Sequence, residues 1–204
     1  MKKVPDFQSS TNLDRRVQAD RAVRPESTDE MDVPSNAPIA VLGIGNLLLA
    51  DDGIGPLAAQ ALLRSGPCPG VDILDVGTPG LELTTYLGSA RRLILIDAVQ
   101  ASTPPGTVRC YGRAEVMAMS THPRMSPHDV AVADAIMTTE LITGRTLDVV
   151  LVGVTVKDTT LGGPVSPEVQ AALPRILETV HRLLAPGIGS SPVEPGVTEL
   201  GREP

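Results

Sequence analysis

The sequence has 204 residues, a length that suits one domain of ordinary size. Hydrophobic residues make up 42% of it but aromatic residues only 1%, so the core has to be built from Leu, Ile, Val and Ala. The formal net charge of −7 argues against nucleic acid or an anionic membrane as a partner, and no apolar run reaches the roughly 18 residues of a membrane span. Cys68 and Cys110 are too few for a secreted disulfide scaffold, and we expect reduced thiols in a cytoplasmic protein.

Composition divides the chain into three regions. Residues 1–36 are polar, carry both signs of charge and show no hydrophobic period, so we expect a disordered extension. Residues 37–185 have the apolar runs of a single α/β domain. Residues 186–204 are rich in Gly, Pro and Ser and are expected to form a flexible tail.

Within the central region, apolar runs of strand length alternate with segments of helical period. The predicted strands are Ile39–Ile44, Val71–Val76, Arg92–Ala98, Thr107–Tyr111 and Leu147–Val154, and the predicted helices are Gly55–Leu63, Leu81–Leu87, His128–Ile142 and Ser166–Leu184. Polar flanks place the fourth strand at a sheet edge. The alternation predicts an α/β three-layer sandwich, in which a mostly parallel, twisted sheet of five strands carries helices on both faces.

Two of the predicted helices carry apolar residues on one side at helical spacing, and each such stripe is expected to face the sheet. In the helix that begins at His128 the stripe consists of Val130, Ala133, Met137 and Leu141. In the last helix it consists of Val169, Leu173, Ile176, Val180 and Leu184.

A glycine-rich turn follows the first strand and partly matches a dinucleotide-binding fingerprint. Gly43 and Gly45 fit that pattern, but Leu48 occupies the third glycine position, where close packing of the helix requires glycine. Asp51 and Asp52 in the same turn would repel a pyrophosphate. A nucleotide-dependent oxidoreductase therefore stays a distant alternative, and the two carboxylates are better interpreted as ligands or catalysts.

Asp97 ends the third strand and belongs to the same edge of a parallel sheet, where α/β proteins place their sites. If the first and third strands are neighbours, Asp52 and Asp97 face each other across that edge. A carboxylate at the end of an apolar run is costly to bury without a partner, which suggests a cation. The alternative is that Asp97 caps a helix or pins a loop.

Histidine offers a third candidate ligand. His128 is predicted in the first turn of a helix, where the helix dipole disfavours imidazolium and leaves the metal-binding neutral form. His122 is a rival, and His181 in the last helix is expected to face solvent. Two carboxylates and one imidazole suit a divalent ion such as nickel or zinc, with positions left open for a substrate atom.

The turn after the second strand would lie on the same rim. Asp75 is expected to accept a hydrogen bond from the backbone of this tight turn. Alternatively, Asp75, Gly77 and Thr78 line a groove for the substrate.

Taken together, six segments resemble the hydrogenase maturation proteases over roughly residues 38–184. In order, they are GIGNLLLADDGIG, DVGTPGLEL, LILIDAV, PPGTV, SPHDVAVADAI and VVLVGV. The resemblance implies a five-stranded sheet between helices. It also implies an endopeptidase that cleaves a short C-terminal extension from the large-subunit precursor of a nickel-iron hydrogenase, after the metal centre has been inserted.

The resemblance further implies that Asp52, Asp97 and His128 contact the metal and serve in catalysis. The nickel would belong to the precursor and be recognised by the protease, and zinc or cadmium can replace it. An aspartic-type enzyme, a monomer and a cytoplasmic location are expected. Two alternatives stay open: a zinc hydrolase that holds its own ion, and a chaperone that checks metal loading without cleaving.

Overall fold

The computed structural model of the protein describes residues 38–80, 83–88, 90–119 and 129–185, without the side chains of residues 129 and 130. The five predicted strands are all present and form one sheet in the order β2-β1-β3-β5-β4. They are β1 Ile39–Ile44, β2 Val71–Gly77, β3 Arg92–Val99, β4 Val108–Gly112 and β5 Asp148–Thr155. Strand β4 lies at the edge of the sheet, as its polar flanks predicted. It runs antiparallel to β5, and the other pairings are parallel.

The predicted helices are also present within the described residues. The structure has α1 Ile54–Arg64, α2 Leu83–Leu87, α3 Arg113–Met119, α4 Asp129–Thr143 and α5 Pro167–Leu184. Helix α3 and a 3-10 turn at Ala50–Gly53 were not predicted, because both are too short to establish a hydrophobic period. The predicted first residues of two helices, Leu81 and His128, lie outside the described residues, as do the regions 1–36 and 186–204.

Alternating side chains of the strands build two cores, one on each face of the sheet, which confirms the three-layer architecture. Ile94 and Ile96 of β3 pack on the face that α1 and α5 cover, whereas Leu93 and Leu95 pack towards α2, α3 and α4. Fully burying one such side chain contributes about 1.5–3 kcal/mol. Among the described residues, no helix is both long and apolar enough to cross a membrane.

The apolar stripe predicted for α4 is wrong, whereas the stripe predicted for α5 packs against the sheet. Met137 and Leu141 are 57% and 85% exposed, whereas Ala133 of the predicted stripe is buried and the side chain of Val130 lies outside the described residues. The other buried residues of α4 are Val132, Ala135, Ile136 and Thr139. Apolar residues lie all around α4, so their spacing alone does not select a face. The neighbouring sheet and α2 determine which side is buried.

Close contact between α1 and the sheet fixes the turn that precedes the helix. A Cβ atom at Gly55 would collide with the carbonyl oxygens of Ile44 and Ile96. Ile44 is the last residue of β1, and Ile96 lies near the end of β3. Only glycine therefore lets the helix begin against these two strands. As a result, the turn containing Asp51 and Asp52 is held above the carboxyl ends of β1 and β3.

An ion pair on the other face joins α3, α4 and β5. The Arg113 guanidinium donates from Nε and Nη2 to the two carboxylate oxygens of Glu140, at 3.1 and 2.6 Å. The backbone N–H of Leu147, just before β5, donates to Glu140 Oε1 at 2.9 Å. Burial would raise the pKa of the Glu140 carboxyl, but Arg113 and the Leu147 N–H outweigh it and hold the pKa below its usual value.

We expect Glu140→Gln to lower the free energy of unfolding by about 2 kcal/mol at pH 7, because charge-assisted hydrogen bonds are lost. Because the pKa of Glu140 is lower in the folded state, its carboxylate stabilises the fold at pH values above its unfolded-state pKa. This stabilisation is lost as the pH falls through the folded-state pKa. The difference from wild type should therefore shrink below about pH 4.5, the ordinary value of this group. Urea unfolding at several pH values measures it. Glu178→Gln on the exposed side of α5 is the control, and a pH-independent difference for Glu140→Gln would contradict the assignment.

Candidate active site

Strand order brings two of the predicted site residues to one edge of the sheet. Strand β1 lies between β2 and β3, so the neighbour relation expected for the first and third strands is confirmed. Asp52 lies in the 3-10 turn directly before α1, and Asp97 lies near the end of β3. Both carboxylates therefore belong to the carboxyl edge of the parallel strands, where α/β proteins place their sites.

Asp52 is held inwards by its own turn. Its side chain is buried, at 1% exposure of the residue, and its Oδ2 accepts a hydrogen bond from Asn46 N at 2.8 Å. The backbone of Gly45 passes so close that a Cβ atom there would collide with the Asp52 carbonyl oxygen, and its φ of +136° also favours glycine. The glycine-rich turn thus packs closely against Asp52.

Asp97 lies on the face of the sheet that α3 and α4 cover. It is 3% exposed, and its Oδ1 accepts a hydrogen bond from Ala98 N at 2.8 Å. Its partner in the register of β5 is Gly153, where a Cβ atom would collide with the ring of Tyr111. A small cavity there is lined by Asp97 and by apolar side chains, which are Ile44, Leu95, Val116, Val132 and Leu151.

Asp51 has a different environment from Asp52, although sequence reasoning treated the two alike. Both of its oxygens accept hydrogen bonds from residues that follow β5, namely Lys157, Asp158 and Ser166. Burial would raise the pKa of the Asp51 carboxyl, but these donors outweigh it and hold the pKa below its usual value. The donors lie more than 100 positions away in the sequence, so no local pattern could have revealed them.

The third predicted ligand, His128, lies outside the described residues, and so does its rival His122. Helix α4 begins at Asp129, the residue that follows His128, and Val132 in its first turn lines the cavity beside Asp97. His181 is exposed on α5, as predicted. Within the part of the chain that the structure describes, no three His, Cys, Asp or Glu side chains are grouped so that they could hold a metal ion.

The turn after β2 lies beside the same edge. Asp75 Oδ1 accepts a hydrogen bond from Gly77 N at 3.2 Å, which is the turn interaction predicted for Asp75. Its Oδ2 accepts another from Gln60 Nε2 of α1 at 2.9 Å. Gly77 has a φ of +58°, and Thr78 is exposed to solvent. These three residues form an ordered, accessible rim next to the turn of Asp52.

Neither cysteine forms a disulfide. Cys110 on β4 packs against the core under α5, and burial raises the pKa of its thiol despite the nearby charge of Arg182. A raised pKa disfavours the thiolate that a cysteine nucleophile requires. Cys110 is therefore poorly suited to act as a nucleophile.

Comparison with known proteins places the chain among hydrogenase-processing enzymes. A family model described as hydrogenase maturation protease matches residues 57–183. The hydrogenase expression/formation protein HupD of Bradyrhizobium diazoefficiens is 35% identical over 149 residues, which cover 72% of this chain and 78% of that protein. The hydrogenase 2 maturation protease of Escherichia coli is 34% identical over 167 residues, covering 81% and 96% of the two chains.

Solved structures show the same fold. The hydrogenase maturating endopeptidase HybD from Escherichia coli superposes with a TM-score of 0.65 at 34% identity, covering 72% of this chain and 91% of that one. The [NiFe] hydrogenase maturation protease HybD from Thermococcus kodakarensis gives a TM-score of 0.63 at 25% identity, covering 72% and 99%.

Proposed function

This chain belongs to the hydrogenase maturation protease family, and we propose that it removes a C-terminal extension from the nickel-loaded precursor of a nickel-iron hydrogenase large subunit. The observation that carries the proposal is the placement of Asp52 and Asp97 near the carboxyl ends of two neighbouring parallel strands. The protein is a protease by its family, and these are the acidic groups at the edge where a substrate would dock.

We assign Asp52, Asp97 and His128 as the residues that contact the metal. Carboxylate oxygens and an imidazole nitrogen are a donor set that suits nickel, and zinc or cadmium can replace it. The support for His128 is its position in the sequence, four residues before Val132, which lines the cavity beside Asp97.

The nickel in this proposal is part of the substrate. Contact between the precursor's metal and the three side chains would position the nearby peptide bond, and a precursor without metal would lack that docking energy. Asp52 and Asp97 are buried, so the precursor can contact them only if the surface beside them lets it in. Asp75, Gly77 and Thr78 on the neighbouring rim would contact the polypeptide of the precursor.

The chemistry that this edge best supports is attack by water that a carboxylate has activated as general base, which groups the enzyme with the aspartic-type peptidases. A pair of aspartates that share one proton would need both carboxylates free of metal. Asp52 and Asp97 therefore cannot both bind the metal and act as such a pair at the same moment.

We further propose that the protein acts as a monomer in the cytoplasm. Its two free cysteines are typical of a reducing compartment. Its net charge of −7 disfavours nucleic acid and anionic membranes as additional partners.

A reaction with two purified components tests the proposed activity. We expect the protein to convert nickel-loaded precursor into a shorter large subunit by a single cut near the C-terminus, and intact mass measures both products. A precursor that stays whole would contradict the proposal and favour a loading chaperone. Stoichiometric zinc in the purified protein, with cleavage that does not depend on the precursor's metal, would favour a zinc hydrolase.

A further inference from the structure

Asp51 ties the turn that carries Asp52 to the loop between β5 and α5, residues 156–166. Asp51 Oδ2 accepts hydrogen bonds from Lys157 N at 2.9 Å and from Asp158 N at 3.0 Å. Ser166 donates from its backbone N to Oδ1 at 2.6 Å and from Oγ to Oδ2 at 3.0 Å. One buried carboxylate therefore binds both ends of this loop.

Backbone contacts join the same two segments. Asp51 N donates to the carbonyl oxygen of Asp158 at 3.0 Å, and Gly162 N donates to that of Leu48 at 2.7 Å. At Gly163 a Cβ atom would already lie 3.3 Å from Ala50 Cβ. The 156–166 loop thus packs directly against the turn.

The carboxylate is essential to this arrangement because of its hydrogen-bonding chemistry. Asp51 is fully buried, at 0% exposure, so water cannot replace its carboxylate as the acceptor for the four donors. An asparagine has the same shape, but its amide NH2 would point a donor at donors. Buried polar groups that lose their partners are costly, so the two segments would separate or shift.

We propose that Asp51 is a positioning residue for proteolysis: by fixing the 156–166 loop to the turn, it sets the backbone from which Asp52 reaches the site. The inference rests on the proposed function, because it assigns Asp51 a role in the same cleavage. Asp52 is the next residue in the chain, so a shift of the Asp51 backbone moves the Asp52 carboxylate with it. Asp51 itself contacts no reacting atom.

The test compares Asp51→Asn with Glu140→Gln, a change of a partly buried carboxylate that also accepts several hydrogen bonds. Rates are measured per folded molecule, well below the unfolding midpoint of each variant. For Asp51→Asn we expect kcat on nickel-loaded precursor to fall by at least about 10-fold while KM changes by less than about 3-fold, since a small misplacement mainly costs alignment. Glu140→Gln should keep the wild-type kcat.

Amide hydrogen exchange provides a second readout that is independent of cleavage. The amides of Lys157, Asp158 and Ser166 should exchange at least about 10-fold faster in Asp51→Asn, because their acceptor is weakened, and at the wild-type rate in Glu140→Gln. Unchanged exchange, or a loosened loop with wild-type kcat, would overturn the positioning role alone. A wild type that leaves the precursor whole would overturn the proposed function as well, so the two failures are distinguishable.

Discussion

Replacing Asp97 by asparagine is expected to slow cleavage of nickel-loaded precursor by at least about 100-fold, because a ligand or general base of this kind contributes 10²–10⁴-fold. Asparagine keeps the size of the side chain and an oxygen that can still accept the hydrogen bond from Ala98 N. It removes the negative charge, and with it the attraction to a cation. The fold should survive, so the thermal unfolding midpoint should stay within a few degrees. Initial rates from intact mass measure the effect.

Asp148→Asn is the matched control for this substitution. Asp148 begins β5, at the opposite edge of the sheet, where it pairs with Arg92 at 3.5 Å. This partly buried pair lies at the far ends of the strands from Asp97, so Asp148→Asn should cleave like wild type per folded molecule. Wild-type cleavage by Asp97→Asn would remove Asp97 from the site. An equal loss in both variants would point to a general effect of charge or folding.

His128→Ala is expected to lower cleavage by a similar factor, at least about 100-fold, because it removes the nitrogen donor that completes the proposed site. His122→Ala should stay within about twofold of wild type, since it leaves all three proposed donors in place. His181→Ala on the exposed side of α5 serves as the control for loss of any imidazole. Cleavage rates and circular dichroism are measured for all three variants.

The histidine comparison has a decisive alternative result. If His122→Ala abolished cleavage and His128→Ala did not, the third donor would be His122 and the assignment of His128 would be wrong. If both variants cleaved normally, the site would consist of carboxylates alone. A metal read by Asp52 and Asp97 would then need its remaining ligands from the precursor.

Most strands of this fold could be predicted from the sequence, because they are short apolar runs bounded by turn residues. Strand β4 is less apolar, and the turn before it marks its position. The predicted bounds Ile39–Ile44 match β1 to the residue, and the neighbour relation of β1 and β3 follows a common order of α/β sheets. The buried face of α4 could not be predicted, since apolar residues surround that helix and only tertiary contact selects among them. Helix α3 was missed because seven residues hold barely two turns.

The candidate site was predictable in part for a similar reason. Asp52 lies in the turn after β1 and Asp97 lies near the end of β3. The ends of parallel strands meet at one edge, so their common location could be inferred. The separate role of Asp51 could not, because its donors arrive from residues 157–166 through the fold and leave no trace near Asp51 in the sequence.

The most direct test of the account compares the cleavage rate of one precursor in two states, nickel-loaded and nickel-free, with the same wild-type protein. The account predicts cleavage at least about 100-fold faster for the loaded precursor, since the metal supplies the contact that positions the peptide bond. Equal rates for the two states would contradict the account, because cleavage would then not depend on contact between a metal and Asp52, Asp97 and His128.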